Sequence, residues 1–200
     1  MSTTIRISTF LAVFAIFFGQ SMSCDSALPS GKDWANDWDL PMNFECENEL
    51  KFILMSLHTY AGNAITSLYS FWLGCKNDRV WSLECGAVGK FNNEKKCSLT
   101  AEVNEWDGPL FKMCDGNGYV GGLSSVHDNG KEDRRFKVLC CKSPNHRTTD
   151  CYTQILNDFR AVIDYTVPED HVIVGFYSYH RNDKEDRAWQ ARVCRVRKIR

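Results

Sequence analysis

The chain of 200 residues lacks several short motifs that define common kinds of protein. It has no Arg-Gly-Asp sequence and no Asn-x-Ser/Thr acceptor, so neither that adhesion motif nor N-glycosylation is supported. It also has no Cys-x-x-Cys pair and no His-rich pair, although ten cysteines are present. The cysteines are therefore expected to form disulfide bonds rather than a zinc site.

A second long apolar run is also missing, so we expect no membrane span. Residues 1–23 combine one early arginine with an apolar run over 10–18 and small residues just before Cys24. This pattern is typical of a signal peptide and is too short to cross a bilayer as a helix. We expect cleavage after Ser23 and a soluble, secreted protein with one domain over 24–200, found in the extracellular space or matrix.

A strong excess of either charge is absent, because the formal net charge is −1. The charges are nevertheless unevenly distributed: acids concentrate in residues 24–50, whereas the tail carries Arg195, Arg197 and Lys198. Such a basic tail can bind sulfated glycans or acidic matrix proteins. A solvated and frayed terminus is an equally good interpretation. We expect no nucleic-acid partner.

The chain does contain an internal repeat, because residues 175–194 restate residues 122–141 in register. A shorter third copy begins at Asp78. Repeats of this length indicate pseudo-symmetric supersecondary units, here around 46–85, 114–141 and 167–194. The identical pairs are Ser125 and Ser178, His127 and His180, Asn129 and Asn182, Lys131 and Lys184, Glu132 and Glu185, and Asp133 and Asp186.

Each copy reads as a strand, an exposed polar turn and a second strand. The turn of the middle copy contains Asn129-Gly130, a strong hairpin signal because both residues accept positive φ. Alternate residues of the second strand are apolar and predict its core face. That face carries Arg79, Trp81, Leu83 and Cys85, then Arg134, Phe136, Val138 and Cys140, then Arg187, Trp189, Ala191 and Val193.

We therefore predict an all-β fold in which three disulfide-linked hairpin repeats form one compact barrel- or prism-like domain. Residues 34–46 and 106–114 are interpreted as partner strands upstream of the first and second copies. Before the third copy, residues 155–163 have helical spacing and 164–167 look extended, so one short helix or none is expected.

The repeated Asp-Arg-x-aromatic sequence is interpreted as a structural latch. The guanidinium group can lie against the aromatic ring while its fork reaches an acid such as Asp133 or Asp186 elsewhere in the fold. The three copies are Asp78, Arg79 and Trp81; Asp133, Arg134 and Phe136; and Asp186, Arg187 and Trp189.

These features together resemble the dermatopontin family over essentially the whole chain after the apolar run. The resemblance rests on Trp34-Ala-Asn36 leading to Phe44-Glu-Cys46, on the three Asp-Arg-x-aromatic endings and on the vicinal Cys140-Cys141. It implies a secreted, disulfide-bonded extracellular matrix protein that binds proteoglycans, collagen-associated partners and cell surfaces. Invertebrate members of the family are described as cell-aggregating or haemagglutinating factors.

The resemblance also implies a disulfide pattern, whereas geometry alone requires only that Cys140 and Cys141 bond different partners. The implied pairs are Cys46 with Cys85, Cys97 with Cys140, Cys114 with Cys141, and Cys151 with Cys194; Cys24 and Cys75 lie outside the match and form a candidate pair. The chain departs from the vertebrate members of the family: it lacks their tyrosine-rich acidic N-terminal segment, so tyrosine sulfation is not expected, and residues 60–76 enlarge its first repeat.

We expect no enzyme, no cofactor and no metal centre. Ser125, His127 and Asp128 are neighbours on one hairpin arm and do not converge on an oxyanion hole as a catalytic triad must. His127 and His180 could share a metal only if the turns met, and separate turns are expected to point apart, leaving solvated histidines.

The first functional hypothesis is a matrix and adhesion protein that binds proteoglycans or glycosaminoglycans through the repeated turns and the basic tail. The second is a lectin-like haemagglutinin with sugars stacked at the turns on Tyr177, Tyr179 or Trp189. A disulfide scaffold without a saturable ligand is the third. The proposed ligand residues are His127, Asn129, Lys131, Glu132, His180, Asn182, Lys184, Glu185, Arg195, Arg197 and Lys198.

Overall fold

The computed structural model describes residues 28–46, 64–87 and 95–199, so the expected signal peptide lies outside the described residues. Within those ranges the chain forms eleven strands and no helix, and none of the described residues forms a helix that could span a membrane. The strands are β1 (Met42–Glu45), β2 (Ala64–Leu73), β3 (Asp78–Gly86), β4 (Lys96–Leu99), β5 (Leu110–Met113), β6 (Tyr119–Asp128), β7 (Asp133–Lys142), β8 (His146–Ile155), β9 (Ile163–Thr166), β10 (His171–Arg181) and β11 (Asp186–Lys198).

The all-β prediction is confirmed, and the possible helix before the third copy is not formed. Residues 151–155 belong to β8, and the chain then passes through a short connection into β9. The apolar residues that mimic helical spacing face different neighbours: Leu156 and Ile163 are buried in the core, whereas Ile155 and Val162 are exposed.

The three repeats form three antiparallel hairpins, which are β2 with β3, β6 with β7, and β10 with β11. Each hairpin closes through a four-residue loop whose last residue has positive φ: Asn77 at 47°, Glu132 at 46° and Glu185 at 47°. The hairpins are thus as predicted, but the turn is not the two-residue type expected at Asn129-Gly130. The residue with the left-handed backbone conformation is Glu132, two positions after Gly130 and directly before the second strand.

The short strands that precede the hairpins connect different repeats, contrary to the expectation that each pairs within its own repeat. β1 precedes the first hairpin but pairs with β6 of the second. β5 pairs with β10 of the third, and β9 pairs with β2 of the first. The described strands therefore form three separate sheets, β1-β6-β7-β4, β5-β10-β11-β8 and β3-β2-β9, whose cyclic exchange of strands favours the prism-like arrangement.

The core is centred on the three aromatic residues of the Asp-Arg-x-aromatic sequences. Trp81, Phe136 and Trp189 contact one another edge to face, with ring centroids 4.9 to 6.4 Å apart. The alternate apolar residues that follow them on β3, β7 and β11 are also in this core. The two-residue period therefore identified the core face correctly, because a strand places every second side chain on one side of its sheet.

Two of the expected disulfides are present and two are wrong. The structure contains Cys46–Cys85 and Cys151–Cys194 as expected. It pairs Cys97 with Cys141 and Cys114 with Cys140, which exchanges the partners of the vicinal pair. Cys97 lies directly opposite Cys141 in the register of β4 and β7. Adjacent residues face opposite sides of a strand, so Cys140 is left to bond Cys114.

Of the last expected disulfide, Cys24 with Cys75, only Cys75 lies among the described residues. Cys75 is disulfide-bonded, and its expected partner Cys24 lies outside the described residues.

Replacing Gly175 with Ala should lower the free energy of unfolding by about 1–3 kcal/mol, because the added methyl group overpacks the place where β10 pairs closely with β5. Gly175 lies at a bulge in β10, where an added Cβ would be 2.2 Å from the carbonyl oxygen of Lys112. Urea denaturation with intact disulfides measures the loss. Gly130→Ala is the control, since its added Cβ would meet no backbone atom of the described residues within 4 Å beyond its chain neighbours; the near atom is the side-chain Oδ1 of Asp128, at 3.2 Å. Equal midpoints for the two variants would contradict the prediction.

Candidate functional site

Three buried arginine–aspartate pairs tie the hairpins into a closed ring. Each arginine donates two hydrogen bonds, through Nε and Nη2, to the aspartate of a different repeat, with donor–acceptor distances of 2.6–2.8 Å. The side chains are 1–5% exposed. This geometry supports the latch interpretation, and it shows that the latch acts between repeats. The pairs are Arg79 with Asp186, Arg134 with Asp78, and Arg187 with Asp133.

A second repeated element, which the sequence reasoning missed, fixes the backbone of each arginine of this closed ring, called a ring arginine below. An asparagine side chain donates to the backbone carbonyl of the arginine and accepts from the amide of the core aromatic residue. The signal was present in the sequence as an Asn-acid-aromatic tripeptide that occurs three times. The copies are Asn36-Asp37-Trp38, Asn104-Glu105-Trp106 and Asn157-Asp158-Phe159.

The residue after each tripeptide has positive φ and directs its backbone amide at the ring. The amides of Asp39, Asp107 and Arg160 donate to the ring carboxylates at 3.0, 2.9 and 2.5 Å. The two aspartates thus place extra carboxylates beside two ring aspartates, whereas Arg160 brings a cation to the third. The three junctions are therefore alike in backbone and different in charge.

The last residues of the three hairpin loops lie together, so the expectation that the turns point apart is wrong for this part of each loop. Asn77, Glu132 and Glu185 line one small cavity together with Trp72 and the ring, with interior space for about one water molecule. Burial raises the pKa of Glu132, and the carboxylates of Asp39 and Glu185 add to this, although His127 lowers it. The cavity mouth is acidic because the ring charges cancel in pairs while these glutamates remain.

His127 and His180 are buried between repeats and are not the solvated turn residues that the sequence suggested. Their side chains are 0% and 1% exposed. Each lies beside a ring aspartate and the extra aspartate of that junction, forming the clusters Asp39–Asp78–His127 and Asp107–Asp133–His180. Within each cluster the possible ligand atoms all lie within 4.8 Å of one another.

The third junction carries an aromatic residue where the other two carry histidine. Trp72 lies opposite Arg79 in the hairpin register, as His127 lies opposite Arg134 and His180 opposite Arg187. The guanidinium of Arg160 stacks on the Trp72 ring at 4.6 Å from its centroid.

The rest of the repeated turn does not form one ligand surface. Glu132 and Glu185 face the axial cavity, whereas Asn129, Lys131 and Asn182 are exposed and Lys184 is half-buried. Lys131 and Lys184 each lie near an acid, at 3.9 Å from Asp107 and 3.8 Å from Asp183. Identity between the repeats therefore reflects, at least at the glutamates and histidines, positions that point inward.

The serine, histidine and aspartate considered as a triad have other partners. Ser125 Oγ accepts from Arg134 Nη1 at 3.2 Å, and Asp128 accepts from the amide of Gly130. Among the aromatic residues considered for sugar stacking, Trp189 is wrong because it is buried in the core. Tyr177 packs on Phe111, and Tyr179 is half exposed.

The basic tail is an ordered strand, which contradicts the frayed-terminus alternative for its residues up to Lys198. Arg195 and Arg197 lie on β11, where Arg197 is directly opposite Arg147 of β8. Residues two apart on a strand share a face, so these three exposed side chains form one arginine face. Sequence reasoning missed Arg147, because only strand pairing brings it to the tail. Asp150 is the nearest acid, at 3.7 Å from Arg197 Nη2.

Comparison with known proteins agrees with this architecture. The dermatopontin family model matches residues 52–198. The hemagglutinin/amebocyte aggregation factor of Limulus polyphemus is 34% identical over 175 residues, which cover 86% of this chain and 92% of that protein. Dermatopontin of Biomphalaria glabrata is 32% identical over 68% of this chain and 90% of its own length. No solved structure matches. This chain therefore belongs to the dermatopontin family.

Proposed function

We propose that the protein is a secreted, non-catalytic matrix or cell-adhesion protein that binds sulfated glycosaminoglycan chains through the arginine face. Family membership supports the extracellular role, and four disulfides among the described residues suit an oxidising compartment. The name of the Limulus relative, hemagglutinin/amebocyte aggregation factor, supports adhesion.

The observation that carries the proposal is the cross-strand pair of Arg147 and Arg197. Like charges directly opposite on neighbouring strands destabilise a sheet, so such a pair suits a polyanionic partner that neutralises both. Arg195 lies on the same face, about 7 Å along the strand. Planar guanidinium groups bind sulfate-like oxyanions through paired hydrogen bonds, which favours arginine over lysine at such a site.

Replacing Arg147 and Arg197 with Ala should move elution of the protein from immobilised heparin to markedly lower salt. The reason is that exposed charge interactions are screened by salt, and each lost cation removes one phosphate- or sulfate-type contact. The measurement is the sodium chloride concentration at the elution peak for the oxidised, full-length chain.

The matched control is Lys131→Ala with Lys184→Ala, which removes the same number of cations from the hairpin loops, one exposed and one half-buried. This control should elute close to the unsubstituted protein. An elution shift in the lysine variant as large as in the arginine variant would refute the arginine face and leave only a net-charge effect.

A lectin-like role is the second candidate, and the name of the Limulus relative, which includes hemagglutinin, favours it. Asn77, Glu132 and Glu185 are partly exposed around the cavity, beside the partly exposed ring of Trp72. These groups can contact sugar hydroxyls at the surface, whereas the cavity itself is too small to enclose a sugar. Agglutination that a simple sugar blocks at constant salt, and that the arginine variant retains, would favour this role over polyanion binding.

A further inference from the structure

We propose that the two histidine junctions, Asp107–Asp133–His180 and Asp39–Asp78–His127, are binding sites for a divalent transition-metal ion of the zinc type. Each cluster offers one imidazole nitrogen and two carboxylates from three different segments of the chain. A metal at either place would join neighbouring repeats. The first of the two clusters carries the clearer evidence.

His180 is buried with neither ring nitrogen hydrogen-bonded among the described residues. Its Nδ1 lies 3.6 Å from Oδ1 of Asp107, an atom that is likewise buried and without a hydrogen-bond partner there. A buried imidazole is normally hydrogen-bonded or bound to metal. A separation of 3.6 Å is too long for a hydrogen bond, and it suits two ligands that share one ion, each about 2 Å from it.

His127 is arranged so that one ring nitrogen is held and the other is free to bind. Its Nδ1 lies 3.0 Å from the amide oxygen of Asn129, which can only accept, so Nδ1 carries the hydrogen. Nε2 then bears the lone pair, is buried without a hydrogen-bond partner among the described residues, and lies 3.9 Å from Oδ1 of Asp78. The Asp39 carboxylate lies on the Nδ1 side of the ring, with its Oδ1 3.8 Å from Nδ1, so it has to turn toward Nε2 to complete this site. A metal-binding histidine typically has its second nitrogen held in this way.

The carboxylates of both sites also have cationic neighbours that a bound metal ion would replace. Asp78 and Asp133 are each paired with a ring arginine, while Asp39 and Asp107 each lie near a lysine Nζ, that of Lys76 at 3.6 Å and that of Lys131 at 3.9 Å. Both lysines are partly exposed, and such surface pairs contribute little, so a cation can take their place beside the two carboxylates. Imidazole with carboxylate oxygens is a donor set that zinc accepts, with a position left for water.

The third junction provides an internal comparison, because its equivalent residues cannot hold a cation. Trp72 replaces the histidine, and Arg160 replaces the extra aspartate and stacks on that ring. Loss of the imidazole is thus accompanied by loss of the second carboxylate. Histidine and aspartate occur together at two junctions and are both absent from the third, which indicates that they act as a unit.

The test is to strip the oxidised full-length protein with a chelator, reload it with zinc chloride, remove excess ion by gel filtration and measure bound zinc by mass spectrometry. We expect two ions per chain, one for each cluster. His180→Gln and His127→Gln should each remove one ion. Asp107→Asn, which changes a partly exposed group, should weaken binding at its site at least tenfold in titration.

Two further variants make the outcome decisive. His171→Gln is the control, because His171 lies away from both clusters with its Nδ1 next to the carbonyl oxygen of Glu169; this variant should keep both ions. Trp72→His combined with Arg160→Asp should create a third site. Near-UV circular dichroism shows which variants are folded. The absence of stoichiometric zinc in the unsubstituted protein, or full zinc retention in both His180→Gln and Asp107→Asn, would overturn the proposal.

Discussion

Replacing Arg187 with Ala is expected to lower the free energy of unfolding by about 3–5 kcal/mol, because it leaves a buried carboxylate without its partner. Asp133 is 1% exposed and accepts two hydrogen bonds from Arg187, at 2.7 and 2.6 Å. The carbonyl oxygen of Gly108 also loses its donor, Arg187 Nη1. Denaturation in guanidinium chloride, followed by tryptophan fluorescence with disulfides intact, measures the effect.

Arg181→Ala is the matched control on the same hairpin, because Arg181 pairs with Asp183 in solvent. Exposed ion pairs contribute little to stability, so this variant should unfold at the same guanidinium chloride concentration as the unsubstituted protein. Replacing Arg187 and Asp133 together by Met and Leu should recover most of the loss, since the unpaired charge is then gone. An Arg187→Ala midpoint equal to that of Arg181→Ala would show that the ring does not stabilise the fold.

Replacing Phe136 with Ala should have a similarly large effect, a loss of about 3–5 kcal/mol, because it opens a cavity at the centre of the core. Phe136 is 1% exposed and contacts both Trp81 and Trp189 edge to face. These two contacts come from two other repeats, so the core cannot close around the gap without moving two hairpins. Equilibrium denaturation in urea measures the loss.

The control is the same Phe-to-Ala substitution at Phe111, which is exposed rather than buried. Phe111 is 63% exposed and packs on Tyr177, so Phe111→Ala should change the free energy of unfolding by about 0.5 kcal/mol or less. If Phe111→Ala proved as damaging as Phe136→Ala, the three-ring contact would not be the centre of the core.

Both predictions concern interactions between repeats, and this is where the chain differs from three independent hairpins. A two-stranded hairpin is marginal in water by itself. Here each hairpin gains a strand from another repeat, a salt bridge from another repeat and an aromatic contact at the centre. Exchange of strands in a closed cycle means that no repeat can leave without breaking contacts to both others.

The shared backbone of the three junctions is compatible with different side chains at each of them. The ring pairs and asparagine contacts keep a common backbone at all three. The adjoining side chains are then free to vary without loss of the fold. His127 with Asp39, and His180 with Asp107, keep one chemistry, whereas Trp72 with Arg160 has another. Two junctions therefore carry the proposed metal ligands, whereas the third carries a cation stacked on an aromatic ring.

Local features of this protein could be predicted from its amino-acid residues without a structure. Alternation of apolar residues, the repeated polar turns and the even number of cysteines were enough to predict hairpins, their core face and a disulfide-bonded domain. These features depend on side-chain direction within one strand or on composition, both of which can be read without knowing what lies nearby. Two of the disulfides could also be expected, from resemblance to the family.

The contacts between repeats, in contrast, became evident only from the three-dimensional fold. Strand exchange between repeats, the exact partners of Cys140 and Cys141, and the pairing of Arg147 with Arg197 depend on contacts between segments far apart in the chain. The burial of His127 and His180 depends on them as well. Periodicity shows which face of a strand is buried, but it carries no information about the partner on the other side. That partner determines the chemistry of each junction.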